Sequence, residues 1–246
     1  MTAYQDSRPR LVFIAALPRE VASLVKGWHG DEELRGRGIH LYWSENAIAA
    51  CAGMGAHRAA LAVEAALAIG QASQLVSIGW AGAYAAAYKA GDVVHAQVVI
   101  DAQTGERFFT EETQPGERGK EIVVTVAQPA SVAEKQRLSL SYQASAVDME
   151  AAAVARIARA RELPFYAIKA ISDEADFELP DMAQFSTPTG QFREAAFGVH
   201  VALRPGLWKP VARLARGSTL AAQRLSTEVE AHIQRLHIQR DRERAQ

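Results

Sequence analysis

The sequence predicts an α/β domain, a three-layer αβα arrangement with a mixed central sheet, and three observations carry that expectation. Apolar runs of strand length alternate with Ala-rich helical stretches, the pattern of helices packed on both faces of a sheet. The first run, residues 11–17, is continuously apolar, as in a strand buried on both faces. Two further runs, residues 39–44 and 47–54, stand back to back around Glu45-Asn46. A tight turn there makes a hairpin, so the sheet is mixed rather than purely parallel.

The elements follow in order. Pro18 directly after the first strand opens a helix, since proline suits a first helical turn. Glu20 then lies near both the strand end and the helix start. Gly53-Met54-Gly55 closes the hairpin and leads into an Ala-rich helix over residues 56–69. Residues 74–78 form a strand that Gly79-Trp80-Ala81-Gly82 breaks. Gly91-Asp92 starts a long strand over 93–101. Residues 103–120 are polar and Gly-containing around Phe108-Phe109 and read as a loop or lid. A strand over 121–127 and a helix over 133–142 come next. A short strand, Ala146-Val147-Asp148, ends in Met149-Glu150 at the start of another Ala-rich helix. The apolar strand 164–171 delivers Ser172 and Asp173 at its carboxyl end. Residues 176–189 are irregular, with Pro180 and Pro188. Helix resumes from 191 and is interrupted at Arg204-Pro205-Gly206. The domain reading is a flexible N-terminus (1–9), one domain (10–203) and a basic helical tail (204–246).

Composition excludes several classes. A net charge of −1 offers no argument for a nucleic-acid partner. The balance hides nine Lys or Arg against four Asp or Glu over residues 204–246, a local +5 that leaves −6 elsewhere. Such a tail is either a solvated helix end or a contact for an anionic membrane or a partner, that is, a peripheral membrane contact. The single cysteine, Cys51, excludes an intramolecular disulfide and suits a small buried side chain. The N-terminal residues lack the apolar core of a signal peptide. No stretch approaches the roughly 20 apolar residues of a membrane span, so the expected location is cytoplasmic. The histidines show no ligand spacing with carboxylates or Cys51, and His232 and His237 face differently on a helix. Neither a metal nor a cofactor is expected.

Three carboxylates stand where chemistry could occur. Open α/β sheets place their ligand crevices at strand ends, and Glu150 and Asp173 both sit at such ends. Glu150, at a helix start, is expected to be ionised. It either complements the dipole or accepts two hydrogen bonds from a vicinal diol such as a ribose. Asp173 precedes Glu174 and Asp176, and like-charged neighbours would raise its pKa toward that of a proton donor. Alternatively Ser172 or Asp173 caps a following turn. Glu20 is either a surface helix residue or the carboxylate that activates water opposite a leaving group, by analogy with paired carboxylates in glycosidases. The glycine turns let a ligand approach the backbone, and Trp80 either stacks on a base or fills core.

Taken together, Gly53-Met54-Gly55, Ile78-Gly79-Trp80-Ala81-Gly82, Gly91-Asp92-Val93-Val94, Val147-Asp148-Met149-Glu150 and Ile171-Ser172-Asp173-Glu174-Ala175-Asp176 resemble the nucleoside phosphorylase/hydrolase superfamily. The nearest branch is the methylthioadenosine/S-adenosylhomocysteine nucleosidases, and the likeness spans about residues 10–200. The resemblance implies a nucleoside phosphorylase-like fold and a homodimer. It implies that Glu150 binds ribose hydroxyls with Met149 against the sugar. Asp173 would protonate the purine at its N7 edge, positioned by Ser172, and Glu20 would orient the attacking water. Gly55, Gly79 and Trp80 would belong to the pocket floor. The chain departs from the family at Ser77, where phosphorylases carry a phosphate-binding arginine, and at Trp80, where a small residue is common. Residues 126–131 replace the usual base clamp. Water is therefore the expected nucleophile, with Arg19 or Arg58 left as cations that could serve a phosphate instead. The segment from Pro129 to Glu150 also resembles hopanoid-associated phosphorylase-like proteins, which act on the lipid nucleoside adenosylhopane.

The expectation is an enzyme, a purine nucleosidase that cleaves an adenine nucleoside with water through an oxocarbenium-like state. The alternatives are an adenosylhopane-type phosphorylase or nucleosidase, and a nucleoside-binding protein without catalysis. Room in the pocket for both a ribose and a nucleophile separates the last of these from the others.

Overall fold

The computed structural model describes residues 8–84, 87–112, 121–177, 183–185 and 193–244. The first seven residues, most of the second half of the expected lid and most of the irregular segment after 177 lie outside them.

The chain begins with β1 (Arg10–Ala15), buried along its whole length, and α1 (Pro18–Val21) with Pro18 in its first turn. A short β2 (His29–Gly30) and α2 (Glu32–Gly36) precede the hairpin of β3 (His40–Trp43) and β4 (Ala47–Cys51). Next come α3 (Ala56–Ala68), β5 (Ala72–Ala83), β6 (Val93–His95), β7 (Val98–Asp101), β8 (Arg107–Phe109) and β9 (Ile122–Thr125). The order continues with α4 (Val132–Tyr142), β10 (Ala146–Asp148), α5 (Ala151–Ala160) and β11 (Phe165–Asp173), and ends in α6 (Glu194–Ala202) and α7 (Trp208–Arg244).

The strands form one mixed sheet flanked by helices, as the alternating pattern predicts. The parallel strands β4, β1, β5 and β11 make its centre. Successive residues of β1 point to opposite faces. Val12 and Ile14 pack with Ala59, Ala62 and Ala66 of α3 and with Ala151, Val154 and Ala158 of α5. Leu11 and Phe13 pack on the other face with Val21 of α1 and Ala221, Leu225 and Val229 of α7. Small alanines on α3 and α5 let both helices lie close to the sheet. Cys51 is fully buried in β4.

Four sequence expectations change. The helix after Pro18 is a single turn, and turns carry the chain on from it to Gly27. Strand β5 does not break at Gly79 but runs through to Ala83, paired with β11 across Gly79, Trp80 and Ala81. The expected 93–101 strand is two strands that leave in different directions, β6 to β11 and β7 to β8 and β9. The expected loop contains β8, antiparallel to β7. Among the described residues no helix is long and apolar enough to cross a membrane, and no group of His, Cys, Asp and Glu could hold a metal ion.

Candidate active site

Strand β5 is where the sheet forks. Its first part pairs with β1 on one side and β11 on the other, whereas its last two residues pair with β10, which runs antiparallel to it. Gly82 stands at the branch point, in register with Val147 of β10 and with Asp173 of β11. A Cβ at Gly82 would lie 2.9 Å from Asp173 Oδ2 and 3.1 Å from Lys135 Cε. The absence of a side chain there lets two carboxylate-bearing strand ends converge.

Glu150 occupies the N-cap position of α5 yet makes no side-chain cap. Capping falls to its neighbours: Asp148 Oδ2 accepts from the Ala151 amide at 2.8 Å, and Thr125 Oγ1 accepts from the Ala152 amide at 3.0 Å. Thr125 in turn donates to Asp148 at 2.6 Å. Glu150 is left facing the pocket, accepting from the Gly55 amide at 2.6 Å and the Met149 amide at 3.3 Å. Gly55 reaches that position with a φ of +91°, a region that favours glycine. Burial pushes the Glu150 carboxyl up to about 7, with Asp148 and Glu20 adding to the rise and Lys169 and the Gly55 amide opposing it. The expectation of a fully ionised carboxylate is thereby corrected, since desolvation outweighs the helix N-terminus.

Asp173 is also surrounded differently from expectation. Glu174 and Asp176 turn outward to Arg213. The group beside Asp173 is Lys135 of α4, with Nζ 2.5 Å from Oδ2, and both side chains are buried. Lys135 completes its shell with the carbonyls of Glu174 at 3.3 Å and Phe177 at 3.5 Å. Ser172 Oγ donates to Asp173 Oδ1 at 2.7 Å and lies 3.3 Å from the Ala81 carbonyl oxygen. The partner of Asp173 is thus a cation rather than like charges.

Glu20 is buried rather than on the surface. One oxygen accepts from the Ala16 and Leu17 amides, each at 2.9 Å, and the other from the Trp80 amide at 3.2 Å. Gly79, with φ +135°, brings the β5 backbone against this carboxylate. Burial raises the Glu20 pKa, while those amides and Lys169 pull it down. Lys169 lies under the site, 2.9 Å from Asp148 Oδ2 and 3.0 Å from Ser77 Oγ. Trp80 is half-buried in the pocket wall beneath Arg19, whose guanidinium lies 4.8 Å from the ring centroid. Arg58 is spent elsewhere, donating to the carbonyls of Ala52 and Gly38.

One cavity joins these groups. Glu20, Trp80, Lys135, Met149, Glu150, Ser172 and Asp173 line it, with Met54, Val126, Pro129 and Ala130. Gly55 and Gly79 stand behind it and hold Glu150 and Glu20. Its volume is about 140 Å³, the space of roughly five waters. Trp80 narrows this space without closing it.

Sequence reading did not find Lys135, Asp148 or Lys169. Lys169 carried a signal, a lone lysine inside a continuously apolar strand that has to meet a buried partner. Lys135 carried none, because a lysine on a mixed-polarity helix normally faces solvent.

A family model described as the phosphorylase superfamily matches residues 10–135 and 121–200. No curated protein matches the chain in sequence. Solved structures of similar fold include a 5′-methylthioadenosine/S-adenosylhomocysteine nucleosidase from Neisseria meningitidis, at TM-score 0.63 and 20% identity, over 90% of this chain and 97% of that one. A second is a putative nucleosidase of the same name from Borrelia burgdorferi bound to adenine, at TM-score 0.67 and 15% identity, over 92% and 99%. A third is the futalosine hydrolase of Helicobacter pylori, at TM-score 0.54 and 17% identity, over 67% and 88%. At these identities the likeness speaks to the fold.

Proposed function

Because the chain belongs to the phosphorylase superfamily, we propose that it cleaves the N-glycosidic bond of a purine nucleoside, with adenine as the expected base and water as the nucleophile. The observation that carries this reading is Glu150, a buried carboxylate at a helix start whose capping work is done by Asp148 and Thr125. Its lone pairs point into a cavity, where they suit the 2′- and 3′-hydroxyls of a ribose.

The other groups then have defined tasks. As the C1′–N9 bond lengthens, electrons move to the purine and positive charge develops on the ribose ring. Asp173 sits on the base side with Ser172 and Lys135, and the proton shared across the Lys135–Asp173 contact passes to N7. Glu20 stands across the cavity. A carboxylate accepts about four hydrogen bonds, and the Ala16, Leu17 and Trp80 amides use three. The remaining position holds the water whose oxygen bonds to C1′ and whose proton departs to Glu20.

Water is favoured over phosphate because both buried lysines already face carboxylates, Lys135 with Asp173 and Lys169 with Asp148. Arg58 is committed to carbonyls outside the site, Arg19 lies over the Trp80 ring at the cavity wall, and Glu20 and Glu150 would repel an anion. The test is release of free base from adenosine, inosine, methylthioadenosine and S-adenosylhomocysteine with and without phosphate. Release without phosphate is expected. Release only with phosphate makes the protein a phosphorylase, and no release from any nucleoside overturns the reading.

A further inference from the structure

A second chamber of about 500 Å³ adjoins the first, sharing Ser172, Asp173 and Leu214 with it. Its walls are the end of β11 with the residues that follow, and one face of α7. The helix is held hard against that strand: a Cβ on Gly217 would run into the Ser172 carbonyl oxygen, so α7 forms a fixed wall. Three cations, Lys209, Arg213 and Arg216, face this chamber. Arg213 is committed to Glu174 and Asp176 and lies over the Phe177 ring. Lys209 and Arg216 have no carboxylate partner among the described residues. Asp173 is already matched by Lys135. Arg213 meets two carboxylates and leaves one negative charge, so the chamber keeps a net excess of one positive charge, carried by Lys209 and Arg216 beside the apolar surfaces of Phe177, Leu214 and Leu220.

We propose that this chamber is a subsite for an acidic substituent, a carboxylate or phosphate on a short carbon arm, carried by the leaving base. The inference rests on the nucleoside-cleavage reading, which places the base against Asp173. The chamber opens at Asp173, whereas the sugar-side residues Glu20, Met149 and Glu150 line only the first cavity. An anion there would meet Lys209 and Arg216, and the arm would lie on Phe177 and Leu220.

The experiment compares N6-(1,2-dicarboxyethyl)adenosine with the uncharged N6-butyladenosine as substrates, and the two corresponding free bases and adenine as ligands by calorimetry. The acid is expected to have a KM about tenfold below that of the neutral arm, the scale of two solvent-exposed ion pairs, and the gain is expected to shrink as salt rises. The Lys209→Ala/Arg216→Ala variant is expected to lose that preference while adenosine turnover stays unchanged. Equal KM values for the two arms, or a variant that weakens both alike, overturns the subsite. If adenine binds and adenosine is cleaved but the acid gains nothing, the subsite alone fails. If no base binds and no nucleoside is cleaved, the functional reading fails with it.

Discussion

Glu150 joins the proposed ribose contact and stability in one side chain. Its ordinary pKa of 4.5 is raised to about 7 by burial and by Asp148. Between those values the folded chain holds a proton that the unfolded chain has released, so stability falls as pH rises through that window and levels off above it. The buried charge costs on the order of 3 kcal/mol above pH 7. Glu150→Gln is expected to flatten the pH dependence of the melting temperature, to raise it at pH 8, and to abolish turnover; a variant that melts lower at pH 8 argues against this account. Because only the ionised form accepts two ribose hydroxyls, kcat/KM is expected to rise with pH through about 7. At Asp173 the effects separate differently. Asp173→Asn removes the proposed proton donor and is expected to lower kcat by roughly 10²–10⁴-fold with little change in nucleoside binding. Lys135→Met leaves Asp173 buried without its cation and is expected to cost about 3–5 kcal/mol of stability. The double variant Lys135→Met/Asp173→Asn should recover much of that stability, read by urea unfolding, while remaining inactive.

At the scale of elements, the fork in β5 and the seat of α7 set the geometry. The glycines of the 79–82 segment looked like a strand break in the sequence, but they serve close approach. Gly79 admits the Glu20 carboxylate, and Gly82 admits Asp173 and Lys135. A pattern of glycines cannot distinguish a chain that turns from one that stays extended under a neighbour. The hairpin of β3 and β4 and the strands ending at Asp148 and Asp173 were legible, because each is a short apolar run bounded by turn residues. Gly217 has a similar role on α7. Gly217→Ala is expected to push the helix off the end of β11, costing about 1–3 kcal/mol as overpacking. Turnover should fall with it, because Ser172 and Asp173 lie at the contact; wild-type melting and rate would show that the helix seat is looser than this.

At the scale of the whole molecule, α7 is part of the domain's core. The basic sequence from 204 onward suggested a solvated end or a membrane contact, yet Ala221, Leu225 and Val229 are buried against β1, β5 and β11. His232, also buried, pairs with Gln74 at 2.9 Å and lies edge-on to Tyr166. Removing the chain from 208 onward would expose Phe13, Val76 and Ile168 to water. The truncated chain is expected not to fold cooperatively, with loss of its near-UV circular dichroism signal. A truncated chain that melts like the full one would place the core elsewhere.

The sequence by itself determined the mixed α/β architecture, most of its main strands and helices in order, and the positions of Glu20, Glu150 and Asp173 near element ends. These follow from local pattern, because periodicity and turn chemistry are written over a few consecutive residues. Only the tertiary structure decided what surrounds each carboxylate. It pairs Asp173 with Lys135 and Asp148 with Lys169 across 38 and 21 positions of chain, raises Glu150 by burial, and lays α7 over the end of β11. Charge balance in a buried site is a sum over neighbours that are distant in sequence, and that sum exists only once the chain has closed around it.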